Sequence, residues 1–361
     1  MIVWDVYGAT DHRPGWLGAV RDARPVRWWQ RSGWGSKLYH GLGLCLWLTR
    51  RGLPRAIELL RVAKRRNVRL IHTNIRIGHD REGILAAWLG RLPCVCHIRH
   101  QETLGCFDRL LARTVSRFIY ISQAVRESHL KSGVPAGKGR IVYNGLNIAA
   151  FTAGLDTERG RAILGQSLKT QVVGMVGRLD TWKGHEVFLR AMAILRQTHP
   201  AVKAVIVGDP PPDRSNYRRQ LELLSEELHL DDVVSFLPFQ ADVPAVMSAL
   251  DVLVLASTSP EPFGRVIIEA MAAGKPVIAV DSGAAREILE DGQQGLLVDA
   301  GDDVALARAA ARLLSDSDLA QSMGRLARLR VAERFGADRY LAGVQATYRE
   351  ILESPSVVAR D

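Results

Sequence analysis

An α/β architecture of two Rossmann-like, doubly wound domains is the fold class that the sequence predicts, and three observations predict it. Short β-branched runs alternate with stretches of helical apolar period, the pattern of strand–helix–strand units over a parallel sheet. The 361 residues are 47% hydrophobic, enough for two compact domains, each with its own core. A glycine-punctuated stretch from Asn144 to about Leu168, with Gly145, Gly154, Gly160 and Gly165, separates two such halves and reads as their seam.

In the first half, residues 1–150, the strand candidates are Ile2–Tyr7, Pro25–Trp29, Val68–Thr73, Cys94–Ile98 and Phe118–Ser122. In the second, residues 151–337, they are Gln171–Val176, Lys203–Val207, Val233–Leu237, Val252–Ala256, Pro276–Val280 and Gly295–Val298. Val187, Phe188, Ala191, Met192 and Leu195 make one apolar helix face, and Leu221, Leu224 and Leu228 another. A last helix, Asp338–Leu352, follows, and residues 338–361 are expected to fold back over the first domain.

Charge is divided unequally. Residues 1–150 hold 25 Lys and Arg against 9 Asp and Glu, and the remainder 23 against 29, so +16 precedes −6 in a chain of net +10. A basic half suits an anionic partner: nucleic acid, anionic lipid headgroups or a phosphorylated small molecule. No grouped aromatic and basic recognition element is present, which argues against nucleic acid. The longest apolar run, around Leu42–Leu48, is too short to cross a bilayer. Cys45, Cys94, Cys96 and Cys106 lie at no metal-ligand spacing, and reduced thiols fit a cytoplasmic protein.

The chemistry is expected in two loops. After the strand Gln171–Val176 comes Gly177-Arg178-Leu179-Asp180-Thr181-Trp182-Lys183-Gly184 and then a helix. A glycine-flanked turn into a helix start presents backbone N–H groups and the positive dipole end, and Arg178 and Lys183 reach the same anion. A surface turn with two solvated cations has the same composition. The second loop, Glu261-Pro262-Phe263-Gly264-Arg265, again runs from a strand into a helix that carries Glu269. Glu261 and Glu269 suit hydroxyls of sugar and ribose, and the amides of Phe263 and Gly264 suit a phosphate. A capping glutamate and an exposed helix residue are the plainer alternative, although Glu269 beside Ile267, Ile268, Ala270 and Met271 is costly to bury without purpose.

These passages, with Asn144-Gly145, Val207-Gly208-Asp209, Phe236-Leu237 and Gly283 with Glu287, resemble the donor site of glycosyltransferase family 4. The likeness is close over about residues 140–340 and loose in the first domain. It implies a GT-B fold, two domains facing a cleft, and a metal-independent transferase. The transfer would retain the anomeric configuration, with a nucleotide diphosphate sugar as donor substrate and no separate cofactor. By the same resemblance Gly177, Arg178 and Lys183 hold the diphosphate, Glu261 the sugar, Glu269 the ribose, and Phe263 and Gly264 the phosphate. In His97-Ile98-Arg99-His100-Gln101-Glu102, His97 is expected to open toward the cleft and contact the transferred sugar, with Arg99 or His100 placing acceptor or phosphate; His72-Thr73-Asn74 is expected to line the same cleft.

The sequence departs from the family at Pro238, where glycine is common, and at Ala284 and Arg286, which replace a glycine and a proline before Glu287. Base identity and loop shape stay open there. Met1–Trp29 resembles the unit after the family's opening strand–loop–helix, so the first domain is expected to lack that opening. Asp316-Ser317-Asp318 matches a metal-binding pattern of another transferase fold, but helix capping explains it better. Aromatic, apolar and basic residues between Trp34 and Arg69 suit a membrane surface, or equally a core-facing helix with a solvated basic face. The expected partners are therefore the donor, a saccharide or lipid-linked acceptor from bacterial surface-polysaccharide or glycolipid assembly, and an anionic membrane at its inner face. A non-transferring epimerase of the same fold remains an alternative.

Overall fold

A computed structural model describes residues 43–353. The strand candidates Ile2–Tyr7 and Pro25–Trp29 and the aromatic stretch from Trp34 to Leu42 lie outside the described residues, as do residues 354–361 of the C-terminal segment. The chain falls into two units, Met1–Val68 and Arg69–Asp361.

The described part of the first unit is helical. A π-helical turn, Leu48–Gly52, runs into α1, Leu53–Arg65, which has a proline in its first turn. A Cβ at Gly52 would lie 2.7 Å from the Trp47 ring, which would have to shift to admit it. Leu53, Ile57, Arg61 and Lys64 share one exposed face of α1. Val68 does not begin a strand as expected. Its N–H donates to Ala63 O at 2.9 Å, which satisfies a carbonyl at the end of α1.

In the second unit the described strands form two parallel sheets. In the first, β1 (Ile71–Ile75), β2 (Cys94–Ile98), β3 (Arg117–Tyr120) and β4 (Gly139–Ile141) pair in chain order. The connecting helices are α2 (Arg81–Gly90), α3 (Cys106–Thr114) and α4 (Gln123–Lys131). β4 was not anticipated: three residues with no β-branched run, beginning at a glycine, give no period-2 signal.

The seam holds two short helices, α5 (Ile148–Ala153) and α6 (Thr157–Leu164). Asn147 and Asp156 cap them, each side chain accepting the N–H three residues on, from Ala150 at 3.1 Å and Arg159 at 2.9 Å. Gly160 serves packing rather than flexibility, since a Cβ there would lie 2.0 Å from Ala245 O.

The second sheet contains β5 (Val172–Val176), β6 (Lys203–Val207), β7 (Val234–Leu237), β8 (Val252–Leu255), β9 (Val277–Val280) and β10 (Gly295–Val298), in the order β10-β9-β8-β5-β6-β7. The order turns at the β8–β5 pair, the position where open α/β sheets bind ligands beyond their carboxyl edge. Its helices are α7 (His185–Leu195), α8 (Tyr217–Glu227), α9 (Val243–Ala249), α10 (Arg265–Ala272), α11 (Ala285–Ile288), α12 (Asp303–Ser315) and α13 (Ser317–Arg334). The apolar face read on α7 is buried in full, against Val173, Ile206 and Val254 among others. Asp316 caps α13 by accepting the Leu319 N–H at 2.9 Å, the structural role expected for the Asp-Ser-Asp triplet.

The chain crosses between the two sheets twice, side by side: Leu146 N–H donates to Phe335 O at 2.8 Å, and Ala337 N–H to Leu146 O at 2.9 Å. The last helix, α14 (Ala337–Leu352), then lies on the first sheet. Ile351 joins Val95, Ile119 and Val142 in a core, and Glu350 meets Arg117 at 2.6 Å. None of the described helices is long and apolar enough to cross a membrane.

Candidate functional site

Both expected loops come together at the carboxyl edge of the second sheet. β5 ends at Val176, and Gly177 and Arg178 follow before a tight turn, Thr181–Lys183. Gly184 closes that turn at φ 78°, and a Cβ there would stand 1.9 Å from Ala256 O; its absence lets the start of α7 lie against the end of β8. Gly264, at φ 90°, starts α10 in the same left-handed region.

The charges here are matched in pairs. Lys183 Nζ lies 2.7 Å from Glu261 Oε2 and 4.1 Å from the centroid of the Trp182 ring, and Ser257 Oγ donates to the same carboxylate oxygen at 3.0 Å. Glu261 is only 6% exposed, so the lysine offsets a carboxylate that would otherwise be costly to bury. The half-exposed Arg178 sits 3.2 Å from the buried Asp180, which also binds Arg214. Arg265 reaches Glu269 at 3.2 Å. Burial still outweighs that contact and raises the Glu269 carboxyl above its ordinary pKa. Phe263 is buried among Tyr143 and Phe335, with centroids 6.2 and 6.0 Å away, so its side chain anchors the loop.

Gly177, Arg178 and Glu269 line one cavity of about 440 Å³, whose far wall includes Asp209, Phe239 and Gln240. Asp209 Oδ2 accepts the Phe239 N–H at 3.0 Å, which shapes the chain just beyond Pro238. Ala284 is fully buried, and Arg286 pairs with Asp281 on the surface.

The first sheet supplies a different kind of site. Arg99 directly follows β2, its N–H donating to Ile75 O at 2.9 Å. Its guanidinium is held by Asn74 Oδ1 at 2.7 Å, Asn144 Oδ1 at 2.8 Å and the Tyr340 hydroxyl at 3.4 Å, all neutral acceptors. His100 is exposed beside it. Its partial enclosure lowers its pKa first, then Arg76, Arg178 and Arg99, against an opposing pull from Glu261. That pattern puts His100 within the electrostatic reach of both loops of the second sheet.

His97 is the fourth residue of β2, as the strand read from the sequence has it, and its ring lies against α14. The ring is 1% exposed, 6.0 Å from Tyr340 and 5.6 Å from His72, and neither ring nitrogen has a hydrogen-bond partner. His97 and Arg99 share one face of the strand and both meet Tyr340, but Arg99 stands at the edge while His97 is buried beneath the Tyr340 ring rather than open to the cleft as expected. Burial, then the charges of Arg99 and His72, hold the His97 pKa down at about 2. Of His72-Thr73-Asn74, Asn74 reaches Arg99, while His72 Nδ1 lies 2.5 Å from the Tyr348 hydroxyl of α14.

Sequence reasoning passed over Tyr340, Ser257 and Asp180, which hold Arg99, Glu261 and Arg178 respectively. It gave no role to Glu102, whose carboxylate accepts the N–H groups of Ile77 at 2.7 Å and Gly78 at 3.3 Å and sits 3.4 Å from buried His129. Burial pushes that carboxyl up, but His129 and the two amides outweigh it and keep it below its usual pKa. The contacts of Tyr340 with Arg99 and of Glu102 with Ile77 and His129 join residues far apart in the chain and have no local sequence signal, whereas Arg178–Asp180 and Ser257–Glu261 lie two and four residues apart.

Residues 156–330 match the family described as Glycosyl transferases group 1, and residues 16–150 match Glycosyltransferase Family 4. The chain belongs to glycosyltransferase family 4. Its two parallel sheets are the GT-B architecture of such enzymes. The Anabaena protein HepE, solved with UDP and glucose, is 30% identical at a TM-score of 0.74, over 83% of this chain and 82% of that one. The D-inositol 3-phosphate glycosyltransferase of Corynebacterium urealyticum is 33% identical over 260 residues, 70% of this chain and 59% of that protein. Its namesake from Acidothermus cellulolyticus is 33% identical over 302 residues, 82% of this chain and 65% of that protein. The chain thus spans about three fifths of the length of these curated relatives.

Proposed function

We propose that this family member transfers a sugar from a nucleotide diphosphate sugar, most simply a UDP-sugar, to an acceptor that carries negative charge. The observation that carries the reading is the convergence of Gly177, Arg178 and Glu269 on one cavity, with the Lys183–Glu261 pair in the adjoining loops. Glu269 accepts ribose hydroxyls, and the amides of Phe263 and Gly264 with Arg178 and Lys183 take the diphosphate. Glu261 takes the sugar hydroxyls. The protein HepE supports the choice of nucleotide, since its solved complex contains UDP and glucose.

In the transfer the acceptor oxygen bonds to the anomeric carbon while the bond from that carbon to the diphosphate oxygen breaks. The hydroxyl proton goes to the departing diphosphate, and the configuration is retained. The cations Arg178 and Lys183 stabilise the charge that develops on the leaving group. On the facing edge Arg99, with Arg76 nearby, presents positive charge to the acceptor, and the neutral His100 beside it offers a hydrogen bond. That favours a phosphate-bearing acceptor, free or lipid-linked, a class to which the inositol phosphate in the relatives' name also belongs. A lipid-linked acceptor would place the enzyme at the cytoplasmic face of the membrane, in surface-polysaccharide or glycolipid assembly, and the basic face of α1 supports that variant. The domain division at about residue 150, with residues 338–361 returning to the first domain, belongs to the same proposal.

The test is a transfer assay. The purified chain is incubated with UDP-glucose and related donors and with free or lipid-linked phosphate acceptors, and products are followed by mass spectrometry and their anomeric form by NMR. A phosphate-bearing product lost in Glu261→Ala supports the reading; turnover only on uncharged saccharides removes the acceptor assignment.

A further inference from the structure

Glu287 lies outside the donor cavity, on the four-residue helix α11, yet its carboxylate reaches the first sheet. Oε2 accepts the Gln123 N–H at 2.7 Å and Oε1 the Ala124 N–H at 2.9 Å. These are the first two amides of α4. A helix start leaves four N–H groups without intrahelical partners. Ser122 Oγ accepts another, from Val125 at 3.1 Å, and the regular i→i−4 ladder begins with Arg126 N–H to the Ser122 carbonyl at 3.1 Å. Of the three amides capped by side chains at this helix start, two are therefore held by a carboxylate from the second sheet's part of the chain.

The same junction is tied to the donor loop. The Ser122 hydroxyl donates to Pro262 O at 2.7 Å, between Glu261 and Phe263. Behind Glu287, the Ala284 N–H donates to Glu261 O at 2.9 Å, and a Cβ at Gly283 would lie 2.2 Å from that same oxygen, so the two loops are in direct backbone contact. Tyr143, in the segment after β4, completes the junction: its ring packs 6.2 Å from Phe263 and 5.5 Å from Phe335. Burial first, then the charge and hydrogen bond of Glu287, raise the pKa of its phenol.

We propose that Glu287 is a positioning residue for the transfer step. Its carboxylate holds the start of α4 against the donor loop, so that Glu261 faces Arg99 and His100 at a fixed distance. It touches neither nucleotide nor sugar and acts through α4 and residues 261–264. The inference rests on the donor-site reading above. It explains why a carboxylate stands there: two amides at the positive end of a helix need two acceptors and favour negative charge. A carboxamide of the same shape offers one acceptor and turns its NH2 toward the other amide.

The experiment compares the full chain with Glu287→Gln and Glu287→Ala. Calorimetry with UDP reads the donor site. Steady-state transfer reads catalysis. Spin labels at Leu110→Cys on α3 and Leu223→Cys on α8, both exposed, read the distance between the domains, with Cys45 and Cys106 changed to serine. The expected result is UDP affinity within about twofold of wild type, kcat lower by about tenfold or more in both variants, and a broadened distance distribution. A near-normal kcat in Glu287→Gln, or a distribution as narrow as wild type, would overturn the proposal. Should Glu287→Ala not fold, Glu287→Asp carries the same test, because its shorter reach cannot meet both amides. Failure of wild type to bind UDP would instead remove the donor-site reading, and the distance measurement would still decide whether Glu287 joins the domains.

Discussion

The two edges that face each other in this protein handle charge in opposite ways. At the second sheet, the cations are matched within the protein: Lys183 with Glu261, Arg178 with Asp180, Arg265 with Glu269. At the first sheet, Arg99 is held by two carboxamides and a phenol, and the imidazoles of half-buried His72 and buried His97 stay neutral. On the proposed reading, the first arrangement is a preorganised site in which an incoming diphosphate competes with internal carboxylates for the same cations. The second leaves its positive charge for a partner from outside.

The sharpest way to break the contrast is to unmatch the donor side. Lys183→Met leaves Glu261 buried without its cation, and is expected to lower stability by about 3 kcal/mol in chemical denaturation. Adding Glu261→Gln should restore most of that loss while leaving transfer abolished. A single variant as stable as wild type would show that the pair is not a buried one in solution.

The first sheet is probed by pH. Burial, then Arg99, lower the His72 pKa from 6.5 to about 4, so the folded protein binds fewer protons than the unfolded chain. This contribution to stability is complete above pH 6.5, declines as the pH falls toward 4, and amounts to at most about 3 kcal/mol. His97, held at about 2, adds in the same direction. Denaturation at pH 7.5 and pH 5 should therefore show a larger loss for wild type than for His72→Gln; equal losses would mean that the imidazole is solvated.

The smallest effect is expected at Glu269. Its pKa is raised, so above about pH 4.5 the ionised carboxylate costs the empty protein stability, and increasingly as pH rises through the folded pKa. Glu269→Gln should raise Tm slightly at pH 7 while weakening UDP binding by about tenfold. A fall in both would contradict a carboxylate kept for a ligand.

Much of this contrast was legible in the sequence on one side only. The second sheet announces itself through continuous β-branched strands, and β6, β10 and the first sheet's β2 were delimited to the residue. Its loops carry glycine and paired charges in order along the chain, so motif and site coincide. The first sheet's edge is assembled from Asn74, Arg99, Asn144 and Tyr340, drawn from four distant segments, and no spacing rule links them. His97 is buried for a reason no local pattern carries: Tyr340, far along the chain on α14, lies over its ring. The seam was read as linker because its glycines were counted and the capping signals of Asn147 and Asp156 were not.

Calorimetric titration of the full chain with UDP is the most direct test of the central claim that the second sheet's edge holds the donor. The account predicts saturable binding of one nucleotide per chain, weakened about tenfold or more by Arg178→Ala and unchanged by Arg99→Ala. Absence of saturable binding to folded protein, or equal weakening by the two substitutions, would contradict it.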